Sequence, residues 1–133
     1  MSDARASALL DELLALPAET TWVEFKENNT DAEMIGKRIS ALSNSARLAD
    51  RPFAYMLWGI RDADHMTIGT HFEPSTHKQS NQPLEMWLTQ HLQPAVAFRF
   101  QVVEHRGVRL VLLEVPAATN SPVEFDRQAY IRI

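Results

Sequence analysis

The chain contains no cysteine, only four glycines, no surplus of positive charge and no long apolar run, and each shortage removes a class of protein. Without thiols there is neither a disulfide framework nor a thiolate metal site, which fits a reducing, cytoplasmic setting. Gly36, Gly59, Gly69 and Gly107 are too scattered to form a Walker-type phosphate loop. His65, His71, His77, His91 and His105 lack the H-E-x-x-H spacing of a zinc site, and no G-x-S-x-G hydrolase elbow is present. A net charge of −4 gives no global basic footprint, so any nucleic-acid contact must rest on a local patch. No apolar stretch approaches the roughly 20 residues of a membrane span. Asp3, Arg5, Asp11 and Glu12 likewise break up the apolar region that a secretory signal needs. What is left, at 133 residues with 45% hydrophobic and 23% charged, is one soluble globular domain able to bury its own core.

Periodicity orders the chain. Ala6, Leu9, Leu10, Leu13 and Leu14 recur at helical steps between Ser2 and Leu16, and Pro17 stops them. This helix, residues 1–17, either packs on the domain that follows or forms a homo-oligomer contact. A strand at 22–26 leads to a second helix from Thr30, whose hydroxyl with Glu33 fits a capping box. Ile35, Ile39, Leu42 and Ala46 form its apolar stripe; Gly36 inside it costs the helix about 1 kcal/mol relative to alanine, which a close packing partner not visible in the sequence would explain. Phe53 to Ile60 is almost continuously apolar, the mark of a central strand buried on both faces. Met66–Thr70 reads as the returning strand of a hairpin. A third helix starts near Asn81 with Pro83 in its first turn, and Pro94 ends it. Residues 95–104 and 108–115 form a hairpin around His105-Arg106-Gly107, and Ala129–Ile133 is a last strand within which the sequence stops. The order α-β-α-β-β-α-β-β-β predicts an α+β fold, a mixed, largely antiparallel sheet covered by about three helices. A strand that stops midway suggests a domain of residues 18–133 excised from a longer protein.

The stretch Glu19–Lys26 carries the chemistry. Alternation puts Val23 and Phe25 in the core and Trp22, Glu24 and Lys26 on the opposite face. The plainer reading of that face is a solvated edge strand. Glu19, at an odd offset from Glu24, needs a bend at Glu19-Thr20 to share its face.

Three ordered pieces resemble one family: Glu19…Trp22-Val23-Glu24-Phe25-Lys26, Gly36-Lys37…Ile39-Ser40-Ala41-Leu42-Ser43-Asn44, and Leu57-Trp58-Gly59-Ile60-Arg61-Asp62. With Val108…Leu112-Leu113-Glu114-Val115-Pro116, Ser121-Pro122-Val123 and Ala129-Tyr130-Ile131-Arg132-Ile133, the chain resembles the Schlafen AlbA-like domain family over residues 19–133. One departure is the helix-to-strand connection. Bacterial members commonly have Gly-Gly there, and this chain has Ala46-Arg47-Leu48-Ala49-Asp50-Arg51-Pro52.

The resemblance implies a nucleic-acid-binding domain, for DNA or RNA, of a bacterial transcriptional regulator. A C-terminal domain of the same chain would then lie beyond the sequence, and no membrane would be involved. In the animal branch a similar domain is a metal-dependent endoribonuclease, and its pattern is matched here by Glu19, Glu24, Lys26 and Asp62. Three such carboxylates would hold Mg²⁺ or Mn²⁺ and activate water against a scissile phosphate. For binding alone, Lys26, Lys37, Arg38, Arg47, Arg51 and Arg61 are the phosphate-contact candidates, with Trp22 as a stacking platform. A protein-interaction or sensing module without nucleic-acid binding is the third class.

Overall fold

The computed structural model describes residues 3–16 and 20–133. In chain order the elements are α1 (Asp3–Leu14), β1 (Val23–Lys26), α2 (Ala32–Leu48), β2 (Phe53–Trp58), β3 (Lys78–Gln79) and β4 (Gln82–Pro83). They continue with α3 (Leu84–His91), β5 (Leu92–Gln93), β6 (Arg99–His105), β7 (Val108–Pro116), β8 (Glu124–Phe125) and β9 (Gln128–Ala129). The main sheet runs β1-β2-β7-β6. Only β1 and β2 are parallel, with Val23 opposite Tyr55 and Lys26 opposite Trp58, and α2 makes the crossover that a parallel pair requires. The fold is therefore α+β with a mixed, largely antiparallel sheet.

The central strand β2 sends its side chains alternately into two cores. Ala54, Met56 and Trp58 join Ile35, Ile39 and Leu42 of α2 and Leu84 and Leu88 of α3. Tyr55 and Leu57 join Ala6, Leu10 and Leu13 of α1, with Val23 and Phe25. The first helix thus packs on the sheet. Both faces of β1 are consequently covered, and here the reading of a solvated face is corrected: Glu24 does lie opposite Val23 and Phe25, but on the face under α2, where it is buried as well.

Helix α2 is the spine of the domain because one side of it is polar and still buried. Ser40, Ser43, Asn44 and Ser45 are all nearly inaccessible, and each hydrogen-bonds the chain from the end of β7 onward. Ser43 Oγ donates to Pro116 O (2.7 Å), and Ser40 Oγ to Val123 O (2.8 Å). Asn44 Nδ2 donates to Val123 O and Tyr130 O (both 2.9 Å), while its Oδ1 accepts from Val123 N–H (2.8 Å). Tyr130 N–H donates to Ser40 Oγ, and Arg132 N–H to Ser45 Oγ. A buried polar group left unmatched costs about 1–3 kcal/mol, so this row fixes residues 116–132 along the helix. Gly36, on the same helix, lies against the ring of Phe125, the close partner expected from sequence.

Several boundaries differ from expectation. The cap of α2 is Asp31, whose carboxylate accepts from Met34 N–H (3.0 Å), not Thr30. Ser80 and Asn81 have φ of 52° and 66°, the pair of positive values that a tight hairpin turn demands, so they join β3 to β4 and α3 starts only at Leu84. Met66–Thr70 contributes a single bridge, Ile60 to Thr67. Of the last strand only Gln128–Ala129 pairs, because the residues after it bond to α2 side chains instead of to a strand.

Candidate functional site

Parallel strands β1 and β2 end at the same edge, and beyond their carboxyl ends lies an open depression of about 420 Å³. Its charged walls are Glu24 and Lys26 from β1, Arg38 from α2, Asp62 from the turn after β2, and Arg132 from the terminal segment. The carboxyl ends of parallel strands are a common place for ligands, because the chain diverges there and leaves a crevice.

Glu24 is 5% exposed and meets three cations. Its Oε2 accepts from Arg38 Nε at 2.9 Å and faces Lys26 Nζ at 3.3 Å, and its Oε1 faces Arg132 Nε at 3.0 Å. Charge-assisted bonds of this kind are among the stronger polar contacts. Arg132 also donates through Nη1 to the carbonyls of Thr20 and Val23 (2.8 Å to Val23), tying the terminal segment to the start of β1. One carboxylate cannot neutralise three cations. Among the described lining residues, Lys26, Arg38 and Arg132 stand against Glu24 and the exposed Asp62.

The other candidates are distributed differently. Glu19 and the bend before Thr20 lie outside the described residues. Asp62 donates its N–H to Glu27 Oε1 (3.4 Å), which keeps it at the rim. Lys37 pairs with Glu33 one helical turn away (3.5 Å). Arg47 holds the carbonyls of Ala118 and Thr119 (3.3 and 2.7 Å) and is an anchor of that loop. Trp22 precedes β1 at the end opposite Lys26, and Arg51 sits 3.7 Å above its ring. Asp50 makes that contact possible. It takes φ 56° after α2, so that Asp50 N–H reaches Arg47 O and Arg51 N–H reaches Ala46 O, a helix stop usually served by glycine. A base stacking on the covered face of Trp22 would have to displace Arg51. The structure thus brings Lys26, Arg38, Glu24 and Asp62 together and adds Arg132, which was not among the candidates. The signal for Arg132 was a single charge between Ile131 and Ile133; nothing local indicated its partner.

Arg61 grips Asp64 with two parallel bonds, Nε to Oδ1 at 2.9 Å and Nη2 to Oδ2 at 2.7 Å. The Arg61 guanidinium, followed by the Met66 N–H, holds the Asp64 carboxyl down at about 2, from an ordinary 3.8. A depressed carboxylate stabilises the fold above its unfolded value and loses that contribution as pH falls through the folded one. The Arg61–Asp64 clamp therefore persists until the pH falls below about 3.8 and is released toward about 2. Carboxyl-detected NMR titration is expected to place Asp64 near 2 in the native chain and to return it to the ordinary carboxylate range in Arg61→Gln. An unchanged value in the variant would remove Arg61 as the cause.

The residues present fit an anion better than a divalent cation. Among the described residues no group of three or more histidines and carboxylates could hold a metal ion. Of Glu19, Glu24 and Asp62 only the last two are described, and both oxygens of Glu24 already face cations that Mg²⁺ or Mn²⁺ would have to meet. No helix among the described residues is long and apolar enough to cross a membrane.

Fold and site together define a small α+β domain with a cation-walled depression beyond a parallel strand pair. The chain belongs to the Schlafen, AlbA_2 family, whose model it matches over residues 19–133. Among solved structures it resembles the N-terminal domain of a protein from Nitrosomonas europaea related to the ATP-dependent DNA helicase RecG. That match has 24% identity and a TM-score of 0.58, covering 96% of this chain and 88% of that one. It also resembles the DIP2311 protein from Corynebacterium diphtheriae at 19% identity and a TM-score of 0.52, covering 99% of this chain but 26% of the other. At these identities the likeness shows the fold alone. No curated protein matches the chain.

Proposed function

We propose that the domain binds nucleic acid through phosphate groups seated at Lys26 and Arg38, and that it serves a regulatory protein of the transcriptional type. The observation that carries this reading is the convergence of Lys26, Arg38 and Arg132 on one buried carboxylate in the wall of an open depression, where among the described residues cations outnumber carboxylates. Arg132 is 16% exposed and holds β1, whereas Lys26 and Arg38, at 26% and 38%, remain accessible to a ligand. Phosphate is the matching ligand: it accepts from guanidinium and ammonium groups and needs no apolar enclosure. Membership of the family and a structural neighbour related to a DNA helicase support the same reading. A chain with net charge −4 can bind a polyanion only through such a local concentration of charge.

The test is fluorescence anisotropy with labelled single-stranded RNA, structured RNA and duplex DNA, in EDTA and in Mn²⁺. Binding is expected without metal, with log K falling against log salt at a slope of about −1.4 to −1.8, as for roughly two phosphates. The double variant Lys26→Gln, Arg38→Gln is expected to weaken binding about tenfold and to flatten the slope by roughly 1 to 2. Absence of binding at low salt would remove the proposal, and cleavage that requires Mn²⁺ would replace it with the nuclease reading.

A further inference from the structure

A second depression, of about 490 Å³, opens beside the first and has a different chemistry. It is walled by Asn28, Thr30, Thr70, Thr76, His77 and Lys78, so hydroxyl, amide and imidazole groups prevail over charge. Its acid, Glu73, is paired with Arg109 (3.0 Å). The turn Lys26-Glu27-Asn28 joins the walls of the two hollows. Lys26 lines one and Asn28 the other, two residues and so at most about 7.6 Å of chain apart.

The walls of this second hollow are held in place. Arg109 Nη1 donates to the carbonyls of Thr70 (2.9 Å) and Phe72 (2.7 Å). Thr70, itself buried, donates to Asn28 Oδ1 (2.8 Å), which orients the amide and leaves its Nδ2 donor without an acceptor among the described residues. His77 has its N–H on Glu73 O and its carbonyl on Leu84 N–H, and its ring stands edge-on to Phe72 at 5.5 Å. A fixed, half-exposed imidazole beside orienting hydroxyl and amide groups suits an unstacked base and its sugar. Such groups meet base edges and ring faces, whereas cations meet phosphate.

Building on the proposed phosphate site, we infer that this second hollow is a nucleoside pocket and that the ligand of the domain is single-stranded nucleic acid. A phosphate sits at Lys26 and Arg38, and the adjoining base turns over the 26–28 ridge to lie on His77 and hydrogen-bond Asn28. A base inside a duplex is stacked and cannot make that turn.

The experiment compares one fluorescein-labelled oligonucleotide, as DNA and as RNA, with the same strand annealed to its complement, on the full chain at fixed salt. The single strand is expected to bind at least tenfold more tightly. His77→Ala is expected to weaken its binding about tenfold with the salt slope unchanged. His77→Phe, which keeps an aromatic ring against Phe72, is expected to restore most of the loss. Equal or tighter binding of the duplex, or full affinity in folded His77→Ala, overturns the pocket. The phosphate site is judged separately. If Lys26→Gln, Arg38→Gln weakens both forms while the duplex binds as well as the single strand, that site stands and the pocket falls.

Discussion

Gly36→Ala is expected to destabilise the domain by about 2–3 kcal/mol and to lower its melting temperature by roughly 10 °C. A methyl group at this position would sit 2.1 Å from Cε1 and 2.4 Å from Cδ1 of Phe125. The ring cannot withdraw, because it is 1% exposed and lies among Trp87 and His91, with centroids at 5.9 and 5.8 Å. Alanine favours a helix over glycine by about 1 kcal/mol, so an unobstructed site would gain stability from the same change. Here overpacking is expected to exceed that gain. Phe125→Leu should relieve the conflict, and a double-mutant cycle by thermal unfolding should give a coupling of about 1 kcal/mol or more. A rise in melting temperature for Gly36→Ala alone would contradict the packing.

Glu24→Gln is expected to have effects of opposite sign on stability and on binding. The amide keeps the volume of the carboxylate but takes from Lys26, Arg38 and Arg132 the negative charge they share. Removing one member of a fully buried ion pair costs about 3–5 kcal/mol. The three cations retain 26%, 38% and 16% of their side-chain exposure, so solvent screens part of the loss, and about 2 kcal/mol is expected. Binding of a polyanion should meanwhile tighten roughly fivefold at low salt, since one repelling charge worth about 1 kcal/mol has gone. Were Glu24 an essential metal ligand, the same variant would lose its activity and gain nothing. Thermal unfolding and anisotropy on one preparation decide between these outcomes, and weaker binding by folded Glu24→Gln would end the counter-charge role.

The fold was largely legible because its strongest signals are local. The unbroken apolar run of β2, the β6–β7 hairpin and the stripe of α2 each declare themselves within ten or twenty residues. Gly36 announced a close neighbour without saying which, since Phe125 lies far along the chain. The alternation at β1 misled for a related reason. Period two separates the faces of a strand but does not reveal what covers each, and the cover over Glu24 comes from α2 and from residue 132. Ser40 to Ser45 was similarly opaque: buried serines and asparagine look like surface residues until the carbonyls they meet are known. The candidate cations were chosen by type, and only geometry separates Lys26 and Arg38 from Arg47, which holds a loop, and Arg61, which holds Asp64.

The hydrogen-bonding row on α2 also sets an order of events during synthesis. Its partners are made late: Val123 follows Ser40 by 83 positions, and Arg132 follows Ser45 by 87. At a translation rate of about 5–20 residues per second, α2 waits on the order of ten seconds for the carbonyls that satisfy it. Throughout that interval its serines and Asn44 are hydrated, the groove for Phe125 is open, and Glu24 has only the cations of β1 and α2 beside it. The nascent chain therefore carries an unfinished site, and its charge balance is set when the last segment closes over the helix.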